Sequence, residues 1–282
     1  RIMKKINTKL VAIIMLIAVV LFGGMSITKA ATNLPASVTT DRTANANLQG
    51  GLKEVEYIKN FPVVLKTAEN GKYFVYCMNL SATYAADVTF TKTGEVDEGY
   101  NYILTHRPNT GDKEKDFYIA QMAVWYYEDY LNQNNFNLVS EVKKYIIRHK
   151  DDNNDVSKQI YALYDGAKHY KEKKHELSLG KDNITFTNFV SSEIKVNATN
   201  IDSKIKYSLS KAPAGAQIVK SENGVIVRVP VNKISVGKQI TLSLHVEGSY
   251  TKYRGYYYFH SSKYQRLLFQ EPLEELVKMK FQ

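Results

Sequence analysis

Two residues in this chain have types and surroundings that suit covalent chemistry. Cys77 is the only cysteine among 282 residues and sits in Tyr76-Cys77-Met78. Gln121 follows 44 positions later, in Ile119-Ala120-Gln121-Met122-Ala123-Val124-Trp125. A single cysteine in an exported chain leaves three readings: pairing between molecules, an inert buried thiol, or a reactive sulfur whose partner is not cysteine. A glutamine among apolar residues raises a matching question, because a buried amide without partners costs about 1–3 kcal/mol. Together the two segments favour the third reading.

The elements that must position these side chains follow from pattern. Phe61 to Lys66 and Lys72 to Leu80 are strand-like, and Asn70-Gly71 between them signals a hairpin turn. Cys77 then lies on the second strand, sharing a face with Tyr73, Val75 and Asn79, while Phe74, Tyr76, Met78 and Leu80 face the other way. Both faces are largely apolar, so this strand is expected to be central and buried. Gln121 falls on a helix expected near Lys113 to Leu131, capped by Asp112, in a stripe with Phe117, Val124 and Trp125 and with Ala120 and Tyr127 beside it. Two more helices are expected around Leu138–His149 and Val156–Lys173. Between them, residues 151–155 carry acidic residues like a calcium loop. The glycine and the acid that such a loop needs are replaced by Val156 and Ala162, so a capped helix connection is the better reading.

From Leu179 the pattern turns to short strands: 183–188, 193–199, 205–210, 216–220, 225–231, 239–246, 253–259 and 263–269, with a second hairpin turn at Asn223-Gly224. The expected fold class is α+β, a helical lobe set against sandwich-like strands. The expected organisation is a signal peptide over 1–30, a linker over 31–50, a core with the helical lobe over 51–178, a β-sandwich over 179–272 and a C-terminal end over 273–282. A single composite domain over 51–272 is the alternative.

Export is read from the N-terminus. Met3 opens a basic stretch with Lys4, Lys5 and Lys9, an apolar run extends from Leu10 to Phe22, and Thr28-Lys29-Ala30 has the small residues of a cleavage site. The run is shorter than the about 20 residues of a membrane span. The mature chain is therefore expected outside the cell, with no membrane association beyond the leader. Losing Arg1, Lys4, Lys5, Lys9 and Lys29 lowers the formal net charge from +10 to +5. That is an ordinary solubility charge and not a nucleic-acid footprint. No Leu-Pro-x-Thr-Gly sorting motif appears, so a monomeric front piece of a longer, wall-attached protein is expected.

A strand cysteine and a helix glutamine in this arrangement resemble the Gram-positive thioester domains. The resemblance rests on Tyr76-Cys77 and on Ala120-Gln121-Met122-Ala123-Val124-Trp125. The family's glutamine motif often begins with threonine; Ala120 stands there instead and removes a hydroxyl. The resemblance implies that Cys77 attacks the side-chain amide of Gln121, expelling ammonia and leaving an internal thioester. Rings at Tyr73, Tyr76, Trp125 and Tyr126 would slow hydrolysis by excluding water. A lysine amine of a host extracellular or matrix protein would then attack the Gln121 carbonyl. This is single-turnover chemistry and not enzymatic turnover, and it calls for no cofactor and no metal.

Two other classes compete. A cysteine hydrolase or transglutaminase would pair Cys77 with His106, His149, His169, His175, His245 or His260. It would place the cysteine at a helix N-terminus or another electropositive spot that lowers its pKa, rather than inside an apolar strand. A non-covalent adhesin or carbohydrate-binding module would leave the cysteine inert and present Tyr250, Tyr253, Tyr256, Tyr257 and Tyr258 as stacking rings. The bland reading of those tyrosines is alternating core and surface positions.

Overall fold

A computed structural model describes residues 24–29, 31–42, 53–80, 84–132, 140–153, 155–180, 184, 186–187, 189–230 and 242–281. In chain order the strands before the helices are β1 (Gly24–Thr28), β2 (Ser37–Thr39), β3 (Lys53–Val55), β4 (Val63–Leu65), β5 (Thr67–Ala68), β6 (Tyr73–Phe74), β7 (Tyr76–Cys77) and β8 (Thr89–Glu95). Four helices follow, α1 (Glu98–His106), α2 (Lys113–Leu131), α3 (Ser140–Arg148) and α4 (Asp155–His169). The remaining strands are β9 (Glu176–Leu179), β10 (Phe186–Thr187), β11 (Val190–Ser191), β12 (Val196–Thr199), β13 (Lys206–Ser210), β14 (Gln217–Lys220), β15 (Val225–Arg228), β16 (Ser243–Phe259) and β17 (Leu267–Phe281). The fold is α+β, and the strand pairs with a described register are antiparallel.

The chain divides into two compact units. The helical unit comprises Ala31–Glu172 and Lys252–Leu273. Its core joins Val63, Leu65, Val75 and Cys77 to Phe117, Tyr118 and Ile119 of α2, Ile160 and Leu163 of α4, and Leu267 and Leu268 of β17. Helix α2 is the axis of this unit. Asp112 caps it by accepting from the Lys115 N–H at 3.0 Å, and Glu114 and Asp116 in its first turn favour the positive end of the helix dipole. The sequence stripe suggests one buried face. In the structure every residue from Asp116 to Asp129 is buried, because α1 and α4 pack on the helix together with β3, β4 and β7. A helix apolar nearly all round belongs in the interior. Its buried charges are met locally. Asp116 accepts from the Thr110 N–H and hydroxyl at 2.9 Å each, Glu128 from Tyr100 and Arg266, and Asp129 from Lys143.

Helix α1 has no counterpart in the sequence reading. It is short, and tyrosines at 100 and 102 obscure its period. Asp97 fixes its start by accepting from the Gly99 N–H at 2.9 Å. The hairpin at Asn70-Gly71 is present but tighter than its flanking runs suggest, since β5 pairs with β6 through Thr67↔Phe74 and Ala68↔Tyr73. Glu69, Asn70 and Gly71 all take positive φ, and Asp41 accepts from the Asn70 and Gly71 N–H groups at 2.9 and 2.8 Å. The expected strand over 72–80 is correspondingly split into β6 and β7, with the Val75 N–H turned to the Lys66 carbonyl at 3.0 Å.

The strand unit comprises Lys173–Thr251, Glu274 onward and the N-terminal residues to Ala30. Inward residues Leu177, Ile194, Val225, Val227, Leu244, Val246, Val277 and Met279 share one core. The hairpin at Asn223-Gly224 joins β14 to β15, with Lys220 opposite Val225. Strand β16 runs unbroken through Gly248, where the sequence suggests a gap. A side chain at 248 would meet Ile201 at 2.7 Å, so the glycine marks a close approach and not a turn. Strand β17 likewise runs on to Phe281 with Leu273, Glu275, Val277, Met279 and Phe281 all buried. Glu275 in that inward register hides the alternation; Tyr250 donates to it at 2.6 Å. Strand β1 lies inside the segment read as a leader and pairs with β17 from Gly24↔Lys280 to Thr28↔Leu276. Residues 1–23 of that leader and 43–50 of the linker lie outside the described residues.

One contact ties α2 to the entrance of β4. The buried Tyr118 hydroxyl donates to the Phe61 carbonyl at 2.8 Å and accepts from the Ile58 N–H at 3.3 Å. It lies three residues before Gln121. Tyr118→Phe leaves both main-chain groups without this partner and should lower stability by about 1–3 kcal/mol, read as a lower urea midpoint at unchanged slope.

Candidate functional site

Cys77 ends β7, and one edge of that strand is occupied by β17, with Cys77 opposite Leu267 and Tyr76 opposite Leu268. The Met78 N–H completes this edge by donating to the Arg266 carbonyl at 2.9 Å. The other edge faces α2, and there the side chain of Gln121 takes the place of a further strand. The Cys77 N–H donates to Gln121 Oε1 at 2.8 Å, and Gln121 Nε2 donates to the Cys77 carbonyl at 2.8 Å. Such a reciprocal pair is what a peptide group on a neighbouring strand would make. It fixes which end of the amide is oxygen, and it aims a backbone N–H at the oxygen that gains charge when the amide carbon is attacked. Gln121 is 1% exposed and Cys77 0%, so the pair sits away from water.

The sulfur has a partner that the sequence reading does not include. Lys66, between β4 and β5 and only 7% exposed, donates from Nζ to Cys77 Sγ at 3.2 Å and to Gln265 Oε1 at 3.3 Å. The same ammonium lies 4.7 Å from the centre of the Tyr84 ring. Burial pushes the Cys77 thiol up, and the charge and hydrogen bond of Lys66 pull against that. Burial also raises Tyr84, with Cys77 adding to the shift. The only sequence signal for Lys66 is its place between the apolar runs Val63–Leu65 and Thr67–Ala68. A lysine closing a strand there reads equally well as a solvated end.

The residues expected around the site are distributed as follows. Tyr76 stacks on Phe117 of α2 with centroids 4.9 Å apart, and its hydroxyl accepts from Arg107 at 3.4 Å. Tyr73 packs edge-on against Phe269 at 5.8 Å. Ala120 is fully buried beside Gln121. Trp125 lies one turn further along α2, 8% exposed, with its Nε1 unpartnered among the described residues. Tyr126 points to α4, where it stacks on Tyr164 at 3.9 Å. Tyr84, absent from the expected set, is the ring over Lys66. As for the histidines weighed as partners of Cys77, the nitrogen contacts of His106, His149, His169, His175, His245 and His260 run to Tyr102, Asp152, Asp165, Asn200, Ser210 and Thr89. Of the tyrosines weighed as a sugar platform, Tyr250, Tyr256 and Tyr258 are buried core residues, while Tyr253 is exposed.

Residues 74–169 match the family described as thioester domain. The matched span contains both Cys77 and Gln121. Among solved structures, the thioester domain of the Enterococcus faecium TIE86 protein is similar at a TM-score of 0.52 and 15% identity, over 90% of this chain and 96% of that one. The Bacillus anthracis TIE protein gives a TM-score of 0.49 at 14% identity, over 89% of this chain and 47% of that one. The thioester domain of the Staphylococcus aureus TIE protein gives 0.30 at 11% identity, over 88% and 91%. No curated protein sequence matches the chain.

The amide clasp can be weighed on its own in a background that cannot form a bond to sulfur. Adding Gln121→Met to Cys77→Ala leaves the N–H and the carbonyl of residue 77 without these partners. The double variant should be less stable than Cys77→Ala alone by about 1–3 kcal/mol for each group left unpaired, measured by chemical denaturation. Equal midpoints would show that the clasp contributes nothing.

Proposed function

The chain carries a thioester domain, and from that premise we propose that Cys77 and Gln121 condense to an internal thioester with which an exported surface adhesin binds amines of a host protein covalently. The observation that carries this is the reciprocal clasp between the Gln121 carboxamide and the Cys77 main chain, at 2.8 Å in both directions. It holds the amide against the residue that bears the nucleophile. Groups kept in near-attack geometry gain an effective concentration that can supply about 7–11 kcal/mol of a barrier.

In this reading Cys77 Sγ attacks Gln121 Cδ, the carbon–nitrogen bond breaks, and ammonia leaves. The Cys77 N–H stabilises the developing oxyanion. The product is a stored electrophile in a buried setting, where little water reaches it. An incoming lysine amine attacks the same carbon, forms an amide with residue 121, and frees the thiol. Each molecule reacts once, so the protein is not a turnover enzyme. The attachment then has no ordinary dissociation rate, whereas non-covalent affinity saturates near about −18 to −21 kcal/mol. Export through the leader at 1–30 would put the domain on the cell surface, where a host extracellular or matrix protein is within reach.

The intact mass of freshly purified protein should be short by one ammonia, with no titratable thiol. Cys77→Ala and Gln121→Ala should each restore the full mass. Methylamine should add to the wild type alone and release the thiol. On denaturing gels, wild type incubated with plasma or matrix proteins should give a boil-resistant adduct that both variants lack. A full-mass wild type with a free thiol would refute the thioester. Adducts formed equally by Cys77→Ala would assign them to other chemistry.

A further inference from the structure

We propose that Lys66 is the acid–base residue of the Cys77–Gln121 chemistry: it takes the thiol proton, delivers a proton to the departing amide nitrogen, and later accepts one from the incoming amine. This rests on the thioester reading above and extends it to a residue that neither sequence motif contains.

Lys66 stands apart from the other buried charged residues. Asp116, Glu128, Asp129, Arg254 and Glu275 each have an acid–base or hydroxyl partner: Thr110, Arg266, Lys143, Glu95 and Tyr250 in turn. Lys66 has a sulfur, an amide oxygen and a ring, and among the described residues no carboxylate pairs with it. A buried ammonium without a counter-charge is costly. Of its neighbours, Gln265 cannot ionise, and Tyr84 is a weaker acid than a free tyrosine. Cys77 is the group that can supply the negative charge, and its sulfur is 3.2 Å away. The pair is thus balanced either as thiol and neutral amine or as thiolate and ammonium, with one proton shared between them.

That proton is what each step needs. In formation, the Cys77 thiolate attacks Gln121 Cδ and the carbon–nitrogen bond breaks. The leaving –NH2 takes a proton from the Lys66 ammonium and departs as ammonia, leaving a neutral Lys66 amine beside the new carbon–sulfur bond. In use, an incoming primary amine attacks the same carbon and passes a proton to Lys66 as the carbon–sulfur bond breaks, restoring thiolate and ammonium. Charge and atoms balance in both directions, with no co-reactant beyond the two substrates. The titratable groups that face this site are Cys77, Tyr84, with Asp41 and Asp87 acting on Tyr84, and Tyr76 with its Arg107 contact.

The test follows ammonia loss with time by intact mass after cell-free synthesis of the full chain, for wild type, Lys66→Met and Lys66→Arg. Methionine keeps the bulk without the charge. Arginine keeps the charge but does not release its proton at working pH. Both variants should lose ammonia about 100-fold more slowly or worse, the size of a typical general acid–base contribution. Wild-type rates in Lys66→Met overturn the role, and wild-type rates in Lys66→Arg overturn proton transfer in favour of charge alone. A wild type that never loses ammonia refutes the thioester itself, and this role with it. Ammonia loss with a titratable Cys77 thiol would place the bond between Lys66 and Gln121 and also overturns the role. A measurement on wild type alone serves if neither variant folds. The rate of methylamine uptake, corrected for methylamine's own ionisation, should still rise with pH through one further ionisation. A flat corrected profile overturns the proposal.

Discussion

The carboxamide of Gln121 set against the main chain of Cys77 is the contact on which the rest of the helical unit depends. It asks for two things at once. A strand must have one edge paired and the other open, and a helix buried over its middle must cross that open edge at the right height. Strand β17 supplies the first by pairing with β7 at Leu267 and Leu268. Helix α2 supplies the second, and its position is fixed by Asp112 at its start and by Tyr118 against Phe61 and Ile58. Neither element would need its present burial if Gln121 were an ordinary surface residue.

Burial works in two directions at this site. It keeps water from the carbonyl of Gln121, and it raises the thiol of Cys77, which weakens the nucleophile. Lys66 answers the second effect without undoing the first, since its charge is delivered inside the protein instead of through solvent. The neighbouring rings have separate contacts. Tyr76 is held by Phe117 and Arg107, and Tyr84 covers Lys66. Tyr126 instead serves the packing of α2 on α4 through its stack on Tyr164. The likeness to the Enterococcus faecium thioester domain extends over 90% of this chain at only 15% identity, so the fold is shared at a low level of sequence identity.

Much was legible in the residues alone. The single cysteine, the glutamine amid apolar neighbours, the α2 boundaries at Lys113 and Leu131, the turn at Asn223-Gly224 and the α+β class all follow from local signals: composition, cap chemistry, period and turn preference. Each is a property of a few adjacent residues. Tertiary structure alone decided the rest. Gln121 meets Cys77 across 44 positions and Leu267 meets it across a far longer stretch, and no local preference encodes such distances. The continuation of β16 through Gly248 and the inward Glu275 of β17 each reflect a partner remote in sequence. Lys66 is the plainest case. A lysine at the end of a strand is ordinarily solvated, and only the fold, by closing β4, β5, β7 and Tyr84 around it, makes its ammonium the neighbour of the one thiol in the chain. Sequence determines which groups are available for chemistry; tertiary contacts determine which of them meet.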